Sequence, residues 1–194
     1  MRAGGRAPHP QGALRNLAAD NPENKEVIRK LGGIPPLVRM LHAGAGSLAA
    51  QQAAGALANL ASNTTADQDA IRDAGGIAPL VKLLSAGEGS AAAQHAAGAL
   101  WNMAAGNATN QDNIRKSGGI ELLVKLLGAG AASEAAQQAA GALRNLAASN
   151  AANKDAIRGV CNRYAPSHRH LARLVCARLH ARSELVARGG SGAP

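Results

Sequence analysis

The chain has 194 residues, a formal net charge of +9 and 46% hydrophobic residues, with one Trp, one Tyr and no Phe. So few aromatic rings exclude the stacking platforms of single-strand nucleic-acid binders, and no apolar run approaches the roughly 18 residues that a membrane span needs. The charge is uneven: residues 23–158 carry only +2 whereas residues 159–194 carry +5, so the bulk of the chain makes no electrostatic case for nucleic acid.

Residues 1–20 open with a Gly/Pro-rich lead and run into Gly12-Ala-Leu-Arg-Asn-Leu-Ala18, the end of a helix. The start at Met1-Arg2 is followed by no apolar core of a secretory leader and carries no myristoylation signal. Asn21-Pro22 is a turn signal, and Glu23 to Leu31 is predicted as a short helix with acids early and Lys/Arg late, which suits the helix dipole. Gly32-Gly33 stops it in the left-handed conformation that only Gly adopts cheaply. Ile34 to Leu41 is a second short helix, with Pro35 and Pro36 in the first turn, where a missing N–H costs nothing. After Ala43-Gly-Ala-Gly46, Ser47 is a candidate N-cap for a longer helix, 48–61. There Ala50, Ala53, Ala54, Leu57, Leu60 and Ala61 follow the spacing of a buried face.

The pattern then repeats. The Gly-Ala-Leu-x-Asn motif starts at Gly12, Gly55, Gly98 and Gly141, and Gly-Gly-Ile at Gly32, Gly75 and Gly118, both in steps of 43 residues. Such a period belongs to helical solenoids, in which each unit buries its apolar face against its neighbours. The chain divides into the third helix of a partial repeat at 1–20, whole repeats at 21–63, 64–106 and 107–150, and the start of a truncated repeat at 151–158. The register requires Gly-Gly at 161–162, but the chain has Cys161-Asn162, so the array is expected to stop at Arg158. Residues 159–194 read as a basic non-repeat tail, disordered or with a short helix over Leu171, Leu174, Val175 and Leu179, and the missing polar caps suggest part of a longer array. Two cysteines in that tail imply no disulfide framework and a reduced, cytoplasmic or nuclear, compartment.

The order short, short, long, with Gly-Gly-Ile before the second helix and Gly-Ala-Leu-x-Asn-Leu-Ala in the third, resembles the armadillo repeat over about residues 8–158. The resemblance implies an all-α, right-handed α-solenoid of three-helix repeats. It is nearer to β-catenin and to vacuolar and plant armadillo proteins than to importin-α, whose repeats carry Trp where this chain has Gly12, Gly55, Gly98 and Gly141.

The candidate site is the third-helix row Asn59, Asn102 and Asn145. Asn59 lies about 200° around the helix from Leu57, away from the apolar stripe, with Gln52 seven residues earlier on its own face; His95 and Gln138 are the matching residues. A carboxamide joins donor and acceptor on one plane, so it can pair with an extended backbone without reading its sequence. In armadillo proteins resembling this one that Asn binds ligand backbone. The alternative is that these Asn bond neighbouring third helices. Ala58, Trp101 and Arg144 fill the variable position of the motif, where Trp101 would be an apolar anchor and Arg144 a reader of acidic side chains. The motif glycines either open room for a ligand or let helices approach.

Cys161, His168, His170, Cys176 and His180 match no compact zinc finger, and no nucleophile–base pair or phosphate-cradling loop is present, so no enzyme, metal, cofactor or small-molecule substrate is expected. The expected function is a monomeric protein–protein interaction scaffold holding an extended partner peptide in a concave groove. The alternative is the recruitment fragment of a larger protein, such as an armadillo ubiquitin ligase or a membrane-anchored vacuolar scaffold. Nucleic-acid binding would rest on the tail alone.

Overall fold

The computed structural model describes residues 21–62, 64–130 and 132–164; the partial repeat at 1–20 and the chain from 165 onward lie outside them. The described residues form ten α-helices and no strand. The first unit comprises α1 (Pro22–Lys30), α2 (Ile34–Leu41) and α3 (Leu48–Ala61); the second α4 (Thr65–Asp73), α5 (Ile77–Leu84) and α6 (Ala91–Ala104). The third comprises α7 (Ala108–Lys116), α8 (Gly119–Leu126, continued by a 3-10 turn, Leu127–Ala129) and α9 (Glu134–Ala147), and α10 (Ala151–Tyr164) follows. The result is a solenoid of three-helix units.

The long helices α3, α6 and α9 pack side by side, each against its own second helix. Alanine makes this possible. Ala53, Ala54, Ala96, Ala97 and Ala139 are fully buried, and their small side chains bring helix axes close, while Leu57, Leu100 and Leu143 fill the space toward the second helices. Each long helix begins on a serine: Ser47, Ser90 and Ser133 accept from the backbone N–H of Ala50, Ala93 and Ala136. Asn21, Thr64, Asn107 and Asn150 cap the first helices in the same way.

The glycine pair between first and second helices does two jobs. Gly32, Gly75 and Gly118 have φ of +72°, +78° and +78°, the left-handed region that favours Gly. Gly33, Gly76 and Gly119 do not; a Cβ on Gly119 would lie 2.7 Å from Ile114 Cγ2 and 3.0 Å from the Ile114 carbonyl oxygen. Because one obstacle is backbone, Gly119→Ala is expected to destabilise by about 1–2 kcal/mol through overpacking, read as a lower Tm.

The third helices end in extended backbone at Ser62, Ala105 and Ala148, and carbonyls at their ends accept from side chains of neighbouring first helices. Gln68 Nε2 donates to the Asn102 carbonyl at 2.9 Å and to those of Ala61 and Ala105 at 3.4 Å. Asn110 Nδ2 donates to Met103 O, Gln111 Nε2 to Ala104 O and Asn153 Nδ2 to Leu146 O, all within 3.1 Å. In the first unit Lys25 Nζ reaches the Ser62 carbonyl at 3.1 Å. Between units, Arg29 pairs with the buried Asp67 at 2.9 Å, and Asn107 and Asn150 donate to Asp69 and Asp112 at 2.9 and 3.1 Å. A second, buried polar ladder thus runs beside the alanine-rich core.

The last described helix, α10, runs past Arg158 to Tyr164. Without glycines at 161–162 nothing interrupts the helical hydrogen bonds, and Ile157, Val160 and Cys161 stay buried. At its end Tyr164 Oη donates to Glu121 on α8 at 2.9 Å, and Lys125 binds Glu121 at 3.0 Å while lying 5.6 Å from the Tyr164 ring centroid. The Lys125 hydrogen bond first, then that of Tyr164, hold the Glu121 carboxyl below its usual range. A depressed carboxylate adds stability that is present above its unfolded pKa and lost as pH falls through the folded one. The hydrogen-exchange protection of α10, measured relative to the intrinsic amide rate at each pH, is therefore expected to fall on acidification below the ordinary carboxylate range, and Glu121→Gln should flatten that dependence.

Candidate functional site

The predicted site residues gather on one face of the three long helices: Gln52 and Asn59 from α3, His95, Trp101 and Asn102 from α6, Gln138, Arg144 and Asn145 from α9. The seven-residue spacing of Gln52 to Asn59, repeated at His95 to Asn102 and Gln138 to Asn145, keeps each pair on one side of its helix. All are half-buried except Arg144, which is exposed.

Two of the asparagines bond the neighbouring long helix, as the alternative reading has it. Asn102 Nδ2 donates to the Ala58 carbonyl at 2.8 Å, and Asn145 Nδ2 to the Trp101 carbonyl at 3.0 Å. Each therefore ties its long helix to the one before it, reaching 44 residues back. The bond exists because the next helix places its amide where the preceding backbone turns a carbonyl outward, late in the helix. One N–H is used. The second N–H and the carbonyl oxygen of Asn102 and of Asn145 have no partner among the described residues and are not enclosed. Bracing and a spare donor–acceptor pair coexist on one half-exposed group.

The motif glycines serve packing. A Cβ on Gly141 would lie 2.6 Å from Trp101 Cδ2 and 2.7 Å from Cε2, so the indole of α6 rests directly on the α9 backbone. A Cβ on Gly98 would meet Gln138 Oε1 at 3.2 Å. Trp101 and Arg144, expected to act separately, form one unit: the Arg144 guanidinium carbon lies 5.9 Å from the Trp101 ring centroid, a cation–π contact. Glu134, the acidic residue at the start of α9, is bonded by Gln94 Nε2 from α6.

The buried ladder of Gln68, Asn110, Gln111 and Asn153 is the part that reading for exposed chemistry passed over, although its signal was present. The first-helix string runs Asn21-Pro-Glu-Asn-Lys25, Thr64-Thr-Ala-Asp-Gln68, Asn107-Ala-Thr-Asn-Gln111 and Asn150-Ala-Ala-Asn-Lys154, in the same period as the glycines. Of the candidate zinc residues, Cys161 is disulfide-bonded, where two cysteines had implied no disulfide framework, and His168, His170, Cys176 and His180 lie outside the described residues. No cluster of three His, Cys, Asp or Glu that could hold a metal occurs among the described residues, and no described helix is long and apolar enough to cross a membrane.

The Armadillo/beta-catenin-like repeat family matches the chain three times, over residues 21–62, 64–105 and 107–148. Similar solved structures include an engineered protein from the Northeast Structural Genomics Consortium, 34% identical over 87% of this chain and 42% of that one, with a TM-score of 0.72. A second engineered protein from the same consortium is 33% identical over 87% of this chain and 69% of that one, TM-score 0.72. A designed armadillo repeat protein in complex with peptide (KR)4 is 26% identical over 87% of this chain and 72% of that one, TM-score 0.70. The chain thus spans less than half the length of the first of these. No curated protein sequence matches it.

Proposed function

The chain belongs to the armadillo/β-catenin-like repeat family, a non-enzymatic protein-binding scaffold, and on that premise we propose that its long-helix face holds an extended segment of a partner protein. The observation that carries the reading is the amide row. Asn102 and Asn145 stand at successive units with an uncommitted N–H and carbonyl oxygen each, the pair that an extended peptide backbone presents in return. Asn59 holds the same register position in α3. Gln52, His95 and Gln138 border the row, and Trp101 with Arg144 supplies an aromatic and a cationic contact. That a designed armadillo repeat protein holds a (KR)4 peptide supports a peptide as the ligand class.

Selection of displayed random peptides against the full chain tests this. Recovered peptides are expected to shift the emission of Trp101, the only Trp in the chain, and to slow hydrogen exchange in α3, α6 and α9. Peptides that bind while leaving Trp101 emission and these three helices unchanged would place the binding face elsewhere.

A further inference from the structure

The chain has two cysteines, and the described one, Cys161, is disulfide-bonded. Within one chain that leaves Cys176 as its partner, a residue outside the described ones. Cys161 sits in the last turn of α10, 5% exposed, with Ile157 and Val160 beside it at 3% and 6%. The helix packs against α8 and α9. Two things besides sulfur hold its end. One is the burial of Ile157 and Val160. The other is the bond of Tyr164 Oη to Glu121 at 2.9 Å, on the carboxylate that Lys125 also holds at 3.0 Å. Residues 162–175, between the two cysteines, carry Arg163, Arg169 and Arg173 and no acid.

We infer that the bond between Cys161 and Cys176 is a redox latch, opened by a dithiol reductant when the end of α10 lifts from α8. In closing, the two thiols of the chain become one disulfide while one glutathione disulfide becomes two glutathione thiols. In opening, a thiolate of the dithiol attacks one sulfur, and the other leaves as a thiolate and takes up a proton. The second thiol of the reductant then resolves the mixed disulfide, so two electrons and two protons pass to the chain and the reductant ends as a disulfide. Burial decides when this happens. Attack at Cys161 needs a nucleophile where the helix is packed. Attack at Cys176 expels Cys161 as a thiolate into apolar surroundings that do not solvate it. Both routes are slow while α10 is seated, and both become ordinary surface chemistry once its last turn opens. The clasp of Tyr164 and Lys125 on Glu121 therefore sets the rate of reduction without touching sulfur. The closed bond in turn limits the freedom that the last turn gains on opening, because it closes the chain from 161 to 176 into a loop. Opening it leaves the arginine-bearing segment 162–175 attached at one end only.

The test uses the full chain, equilibrated with reduced and oxidised glutathione, alkylated, and digested without further reduction. Mass spectrometry is expected to find a peptide joining Cys161 to Cys176 within one copy. A link between two copies, or none in oxidising buffer, overturns the pairing and the latch with it. Reduction by dithiothreitol is then followed at one pH in native buffer and in denaturant. Glu121→Gln is expected to speed the native-buffer reaction roughly two- to tenfold, the range for removing a net hydrogen bond from a gate that must stay shut, and to leave the rate in denaturant unchanged. Tyr164→Phe, which removes only the hydroxyl, should act in the same direction. Equal rates for the native chain and both variants in native buffer overturn the gating. Hydrogen exchange over residues 157–164 is expected to quicken on reduction, and oxidised-buffer samples of Cys161→Ala and Cys176→Ser should match the reduced native chain. Exchange that is the same with the bond closed, reduced or deleted shows that it holds nothing, and overturns the latch.

Discussion

Replacing Gln68 by leucine is expected to lower stability by about 3–5 kcal/mol, one of the largest effects of any single change in the chain. The side chain is buried, and its one amide group donates to three carbonyls, those of Ala61, Asn102 and Ala105, while its carbonyl oxygen accepts from Asn107 at 3.2 Å. Leucine preserves most of the volume and removes every one of these bonds. The carbonyls of Ala61 and Ala105 then lose the side chain that served them and that of Asn102 keeps only the Ala105 N–H, at a cost of about 1–3 kcal/mol for each fully desolvated group left unpaired, and less where the original bond was long. For a chain of this size that corresponds to a fall in Tm of roughly 6–20 °C. Thermal unfolding followed by far-UV circular dichroism reads it directly. A Tm within two degrees or so of the native value would mean that water already serves those carbonyls and that the ladder is ornamental to stability.

Changing Asn102 and Asn145 together to alanine should do two things that are separable by temperature. It should lower stability by about 2–4 kcal/mol, from two lost bonds to the Ala58 and Trp101 carbonyls and the half-buried acceptors left behind. Measured well below the lowered Tm, it should also weaken a selected peptide by roughly three- to a hundredfold, because two amides that would pair with peptide backbone are gone. The first effect without the second identifies the row as bracing only, and the peptide face would then have to be carried by Gln52, His95, Gln138 and Trp101. Both effects together are what a group with one committed and several uncommitted hydrogen-bonding sites predicts. Adding Asn59→Ala should extend the binding loss by one more rung.

Much of the fold was legible because it is dictated locally and then repeated. The serine caps at Ser47, Ser90 and Ser133, the prolines at Pro35 and Pro36 and the alanine stripe of α3 each act within a turn or two of chain, and a 43-residue period multiplies a weak signal. The glycine pair shows where local reading thins out. A left-handed stop is a property of one residue and was visible at Gly32, but the demand on Gly76 and Gly119 comes in part from Val38 and Val81 of the preceding unit, 3.2 Å from where a Cβ would lie, and could be seen only once the units stacked.

The same boundary divides the candidate site. Periodicity alone put Asn59, Asn102 and Asn145 on one face with Gln52, His95 and Gln138, since helical phase is set by spacing. What those amides bond could not follow from spacing, because the acceptors at Ala58 and Trp101 belong to the preceding unit and are brought near only by the stacking of long helices. Likewise the sequence by itself determined that Trp101 and Arg144 share a motif position, while the stacking decided that they touch each other, that Gly141 is the floor under the indole, and that Gly98 has no indole above it. The sequence also determined that α10 would lack a glycine stop; only packing against α8 decided that it would continue to Tyr164 and be held there by Glu121 and Lys125. Side-chain phase and backbone punctuation are one-dimensional properties. Contacts between residues 43 or 44 apart depend on the rise and rotation from unit to unit, and no single repeat encodes these alone.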